Sequence, residues 1–330
     1  MAATIRDVAR LAGVSTSTVS RALSVPDLVN PATRAKVRSA ADSLDYAPNK
    51  AARGLITGRT GNLGLVLPDL ANPFFPSVVK GVQARARAAD LAVFVADTDE
   101  DVAAETGLVR ALAQQVDGLV LCSPRAGADE LAKIAADTTV VLLNRLVDDL
   151  PAVVFDHADG MRQAVAHLVA LGHRRIAWVS GPAASWSSEQ RGQGLAQAAA
   201  DQGVELVEVG HFPPHYDGGM AAADQVVATG ATAVITYNDL VAIGLLARLH
   251  GRGIAVPDEL SVVGIDDIAM AAMARPALTT IRLPKERAGR LAVELLLTLL
   301  DHATAADEPP VRRVLRGDLM VRASTGVPPR

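Results

Sequence analysis

A single cysteine, Cys122, is all the thiol chemistry that 330 residues carry. That excludes an intrachain disulfide framework and fits a reducing compartment. Long apolar runs are missing too. Half of the residues are hydrophobic, yet no stretch approaches the ~18 uncharged apolar residues of a membrane helix. The opening segment, MAATIRDVARLAG, has charge from Arg6 onward and no apolar centre, so it does not read as a secretory signal. Enzyme signatures are equally scarce. There is no GxxxxGKS/T loop and no GxSxG elbow. Gly58, Gly61 and Gly64 precede an apolar run instead of following one, so they are no dinucleotide fingerprint. His211 and His215 have i,i+4 spacing, but Pro213 and Pro214 break any helix that would align them as metal ligands. The expectation is a cytoplasmic protein with no membrane span, metal or cofactor.

The length suits about two domains, each able to bury a core. The net charge of −4 is unevenly placed. Residues 1–60 hold nine Lys/Arg and four Asp, or +5, against 23 basic and 32 acidic residues, or −9, in 61–330. A basic head on an acidic body suggests contact with a polyanion.

Residues 4–45 read as three short helices. Thr4 with Asp7 is an N-cap pattern ahead of Ile5, Val8 and Ala9, and Gly13 supplies a turn. Ser15 can cap a second helix with Val19, Ala22 and Leu23 inside. Asn30-Pro31 opens a third, with Ala32, Val37, Ala40, Ala41 and Leu44 inside. Two helices around the Gly13 turn form a helix-turn-helix. Its second helix turns Thr16, Ser17, Ser20 and Arg21 outward: small hydroxyls for phosphates and base edges, and one guanidinium able to grip guanine through two hydrogen bonds. Further on, Asn49 can cap a helix to about Ile56 that is too short to be stable alone and carries Gly54. Leu55 on this basic segment suits a wedge into a minor-groove base step.

From Asn62, β-rich runs alternate with amphipathic stretches. The expected strands are Leu63–Leu67, Ala92–Ala96, Gly118–Leu121, Val140–Leu143, Ala152–Phe155, Ile176–Val179, Val204–Val209, Ala233–Tyr237 and Leu260–Gly264. This alternation argues an α/β fold of parallel sheets covered on both faces, in two lobes. Ligands of such sheets sit beyond the carboxyl ends of the strands. The exits here carry Asp69, Asn72, Phe74 and Phe75; Asp97 and Asp99; Ser123; Asn144-Arg145; Ser187 with Arg191; Asn238-Asp239; and Asp266-Asp267. Polar forks beside aromatic faces suit polyhydroxy ligands.

Together these segments resemble the LacI/GalR family of bacterial transcription regulators, from about Thr4 to Ser324. The resemblance is carried by TIRDVARLAGVSTSTVSRAL, YAPNKAARGL, GLVLPDLANPFF, LGHRRIAWVSGP, the Ser187…Arg191…Gly194 spacing, Asn238-Asp239, VVGIDD and LMVRAST. It implies a helix-turn-helix head over 1–46, a hinge helix and linker over 47–60, and a core over 61–330. The core would resemble the periplasmic sugar-binding proteins. Its N-lobe would be about 61–157 with 284–317, its C-lobe about 158–283 with 318–330, joined by three crossovers. The implied function is ligand-responsive repression: a homodimer on a palindromic operator, with a small molecule, a sugar or derivative, between the lobes. The implied DNA contacts are Ser15, Thr16, Ser17, Ser20, Arg21, Asn49, Ala52 and Leu55. The implied effector contacts are Phe74, Phe75, Asn144, Arg145, Ser187, Arg191, Asn238 and Asp266, with Phe212 or Tyr216 as a further stacking ring. A solute-binding protein and an enzyme on a doubly wound fold are the alternatives.

Overall fold

The computed structural model describes residues 3–24, 28–46, 59–301 and 309–329. The chain divides into two compact units, Met1–Gly61 and Asn62–Arg330. The first is built from α1 (Ile5–Ala12), α2 (Thr16–Ser24) and α3 (Pro31–Ser43). Thr4 donates to the Asp7 carboxylate from both its backbone N–H and its hydroxyl, at 3.0 and 2.7 Å. Gly13, at φ 66°, closes α1 in the left-handed conformation. Ser15 Oγ accepts the Thr18 N–H, and Asn30 Oδ1 the Ala32 N–H, so α2 and α3 start at side-chain caps. Val8, Ala9, Val19, Ala22, Val37, Ala40 and Ala41 form the small core, with Leu23, Leu44 and Tyr46 half-buried against it. Ala32, expected inside, is exposed: it lies in the first turn of α3, one turn before the helix reaches this core at Val37. Residues 47–58, with Asn49, Ala52 and Leu55, lie outside the described residues.

The second unit contains β1 (Asn62–Leu67), β2 (Ala92–Asp97), β3 (Gly118–Cys122), β4 (Val140–Leu143), β5 (Ala152–Phe155), β6 (Arg175–Ser180), β7 (Glu205–His211), β8 (Ala233–Thr236), β9 (Ser261–Asp266), β10 (Thr279–Arg282), β11 (Arg312–Leu315) and β12 (Asp318–Met320). Its helices are α4 (Phe74–Arg87), α5 (Val102–Ala113), α6 (Ala128–Asp137), α7 (His157–Leu171), α8 (Trp186–Gln202), α9 (Tyr216–Ala228), α10 (Asp239–Gly251), α11 (Ala269–Met273) and α12 (Lys285–Asp301). Each of the nine expected strands is present, with ends within two residues.

The strands form two sheets of matching order, β2-β1-β3-β4-β5-β11 and β7-β6-β8-β9-β10-β12. Every pairing is parallel except β10 with β12. Helices cover both faces, so β3, β4 and β5 are buried throughout and read as unbroken apolar runs. The backbone passes between the sheets three times: after β5, where α7 packs on α8 and β12; after β10, where α12 returns to pack on α4, β3 and β4; and between Leu315 and Asp318. α9 and α10 touch through glycine. A Cβ on Gly244 would lie 1.9 Å from the Tyr216 carbonyl oxygen. Among the described residues, no helix is long and apolar enough to cross a membrane.

Candidate functional site

In the head, α2 turns Val19 and Ala22 inward and leaves Thr16, Ser17, Ser20 and Arg21 exposed, with Ser15 exposed at its cap. Ser15 Oγ lies 2.8 Å from both Ser17 Oγ and Thr18 Oγ1, which orders the hydroxyls at the start of the helix. A row of hydroxyls ending in one guanidinium can engage phosphates and a guanine edge.

In the core, the sheet order reverses between β1 and β3 in one lobe and between β6 and β8 in the other. Connections there leave to opposite faces and open a crevice at the carboxyl ends. Ser123 after β3, Asn144 after β4 and Asp266 ending β9 all have positive φ, 49°, 57° and 116°. Non-glycine residues held there cost on the order of 1–3 kcal/mol each. The strain aims three polar side chains into one space.

A directed hydrogen-bond chain crosses that space. Arg191 Nε, a donor only, faces His157 Nδ1 at 3.4 Å, which fixes the imidazole proton on Nε2. His157 Nε2 then donates to Asn144 Oδ1 at 2.9 Å, and Asn144 Nδ2 donates to Ser123 Oγ at 2.9 Å. Burial, and then the Arg191 charge, hold the His157 pKa well below its ordinary value, so the ring is neutral. The Arg191 guanidinium also donates to the Tyr237 carbonyl at 2.5 Å and lies 4.9 Å from the centre of the Tyr237 ring. Its Nη2 is 3.6 Å from Asp266 Oδ1, an ion pair longer than a hydrogen bond. Aromatic rings line the same space edge to face, in the order Phe75, Phe74, Phe155, His157 and Trp186. Trp186, at the start of α8, packs on the first lobe beside Leu146 and Val147.

Among the described residues, three buried side-chain polar atoms lack a hydrogen-bond partner: Thr98 Oγ1, Arg145 Nε and Asp266 Oδ1. Two of them belong to residues that the sequence nominates. Burial pushes the Asp266 carboxyl up to about 6, against the pull of Arg191 and Lys285. Burial lowers the Arg145 pKa, opposed by Glu189 and Glu105. Lys285, at the start of α12, donates to the Asp266 and Asp267 carbonyls and ties a lobe crossing to this strand end.

Of the other nominated residues, Phe74 and Phe75 are buried, and Ser187 Oγ lies 3.0 Å from Ser185 Oγ. Asn238 is committed at both ends, accepting the Val241 N–H as the cap of α10 and donating to the Pro214 carbonyl. Phe212 packs half-buried on the second lobe's core, whereas Tyr216 is exposed. Sequence reasoning did not nominate His157, Tyr237 or Arg125. His157 follows the β5 exit directly, and the strand-exit rule applied to β5 would have found it. Tyr237 looked like the last residue of its strand. Arg125 sits two residues past Ser123, where its guanidinium forks onto Glu100 with two 2.8 Å bonds.

The profile described as "Bacterial regulatory proteins, lacI family" matches residues 4–49, and that of a "Periplasmic binding protein-like domain" matches 165–325. The HTH-type transcriptional repressor PurR of Photobacterium profundum is 32% identical, the alignment covering 98% of each chain. The chain belongs to the lacI family of bacterial regulatory proteins. Solved structures of regulators are similar over nearly the whole chain. The lac repressor dimer bound to operator and the anti-inducer ONPF has a TM-score of 0.86 at 29% identity, covering 99% of this chain and 100% of that one. The complex of the transcriptional regulator CelR with cellobiose has a TM-score of 0.73 at 32% identity, covering 98% and 99%. The α/β fold with a helical head and two parallel-sheet lobes is that of the lacI family, and the chain is a DNA-binding transcriptional regulator.

Proposed function

We propose that the chain is a repressor that binds a palindromic operator as a homodimer and responds to a polyhydroxy small molecule, a sugar or derivative, held between its lobes. In this reading residues 1–46 are the DNA-binding head, 47–60 the hinge, and 61–330 the effector-binding and dimerising core. Ser15, Thr16, Ser17, Ser20 and Arg21 meet the operator from the head, and Asn49, Ala52 and Leu55 from the hinge. Phe74, Phe75, Asn144, Arg145, Ser187, Arg191, Asn238 and Asp266 surround the effector. The lac repressor is a dimer on operator in its structure and CelR holds a sugar, cellobiose, in its own, which supports operator DNA, a second copy and a sugar-class effector as partners here. The PurR and CelR relatives are transcriptional regulators, and the reading assigns this chain no enzymatic step. Its place of action is the cytoplasm, with the DNA.

The observation that carries the effector class is the pair of orphaned atoms, an acceptor at Asp266 Oδ1 and a donor at Arg145 Nε. A buried polar atom without a partner costs about 1–3 kcal/mol. A hydroxyl satisfies both needs, since it donates to a carboxylate and accepts from a guanidinium. Vicinal hydroxyls on a ring whose C–H face lies on the aromatic row fit all three features.

A thermal-shift screen of sugars and nucleobases tests this. Saturation at 100 times Kd should add about 2.7 kcal/mol of stability. Binding should also depend on pH through Asp266. The folded-state pKa, about 6, lies above the ordinary 3.8. The stability this group contributes is therefore present below 3.8 and lost as pH rises through about 6. Effector that uses the ionised carboxylate as acceptor should bind about tenfold more weakly per pH unit below that pKa. Asp266→Asn should bind weakly and without this pH dependence. Calorimetry from pH 5 to 7.5 checks it; a wild-type affinity flat across that range removes Asp266 from the site.

A further inference from the structure

Tyr237 follows β8, at the β6/β8 reversal where a ligand of the second lobe would sit. Its side chain occupies that crevice. The hydroxyl is 3.0 Å from Ser185 Oγ and 3.3 Å from Ser187 Oγ. One side of the ring faces the Arg191 guanidinium at 4.9 Å. The ring also presses on Gly181, where a Cβ would lie 2.4 Å from a ring carbon. The backbone after β6 is thus carved to admit the phenol. Tyr237 is 7% exposed.

Each of these contacts is one a bound sugar could make: a hydroxyl on serines and a flat ring beside a guanidinium. A phenol ring fills about the room of one pyranose. We propose that Tyr237 is a built-in occupant of the effector cleft and sets its size selectivity, so that the cleft admits a single-ring polyol and excludes a disaccharide. This rests on the reading of the cleft as a sugar site.

The test uses full-length protein with Tyr237→Ala, Tyr237→Leu and Tyr237→Phe. Circular dichroism confirms the fold of each, and Tyr237→Leu keeps apolar packing on Gly181 if the alanine variant does not fold. The probes are D-glucose, D-ribose and D-xylose against cellobiose, maltose and lactose, measured by calorimetry. The wild type should bind a monosaccharide and none of the disaccharides. Tyr237→Ala or Tyr237→Leu should gain a disaccharide by at least tenfold in affinity. Tyr237→Phe keeps the ring and should keep the exclusion. No gain of any disaccharide by either truncated variant overturns the proposal, as does a wild type that binds a disaccharide as tightly as a monosaccharide. The underlying sugar-site reading is judged separately, by whether the wild type binds any of the three monosaccharides.

Discussion

Arg191→Ala should abolish the response to effector, with a loss of affinity beyond a hundredfold. Arg191 is 3% exposed and serves four neighbours at once: the His157 lone pair, the Tyr237 carbonyl, the Tyr237 ring and, at 3.6 Å, Asp266. Truncation strands buried acceptors, each costing about 1–3 kcal/mol. The His157 ring also loses the donor that fixes its tautomer, so the chain to Asn144 and Ser123 no longer has one direction. Asp266, without the Arg191 charge that favours its ionised form, should protonate at higher pH, and the site loses its carboxylate acceptor. Calorimetry with the best sugar of the screen reads the affinity, and operator gel shift without effector controls for the fold. Unchanged effector affinity in a folded Arg191→Ala protein would remove the residue from the site.

Arg21→Ala should weaken cognate operator binding by about 5- to 150-fold, the ~1–3 kcal/mol of a bidentate contact to guanine. Arg21 is the one guanidinium among the hydroxyls of the outward α2 face, and its exposure means that truncation leaves the head core of Val8, Val19 and Val37 untouched. One base position should become tolerant of substitution. Anisotropy titrations on cognate and scrambled duplexes distinguish this from a phosphate contact, which loses equally on both.

The sequence made the fold legible wherever burial was two-sided. β3, β4 and β5 are apolar runs because helices cover both their faces, and such runs are visible without coordinates. Three strands escaped. β11 and β12 lie at sheet edges, where RRVL and DLM are held by backbone pairing and bury little. β10, TTIR, reads as polar, yet Thr279 and Thr280 are fully buried because Thr325 and Asp239 partner their hydroxyls. The candidate site was legible where a polar residue ended an apolar strand, as at Asn144 and Asp266, which the structure brings to the same strand-exit space as Arg191. It was not legible at Tyr237 and Arg125, whose surroundings are set by residues far away along the chain: Tyr237 meets Ser185, and Arg125 meets Glu100. The rule also nominates Asn238, whose amide caps α10 and holds the Pro214 carbonyl, which leaves one N–H and one lone pair for a ligand.

The central claim is that occupancy of the cleft and affinity for operator are coupled. Linkage requires the coupling to be reciprocal, typically 5- to 150-fold for about 1–3 kcal/mol. The direct measurement is the operator Kd with and without saturating effector, beside the effector Kd with and without saturating operator, on one preparation of full-length protein. The account predicts that the two ratios are equal and differ from one by at least fivefold. An effector that binds the cleft with the same affinity whether or not operator is present would contradict it.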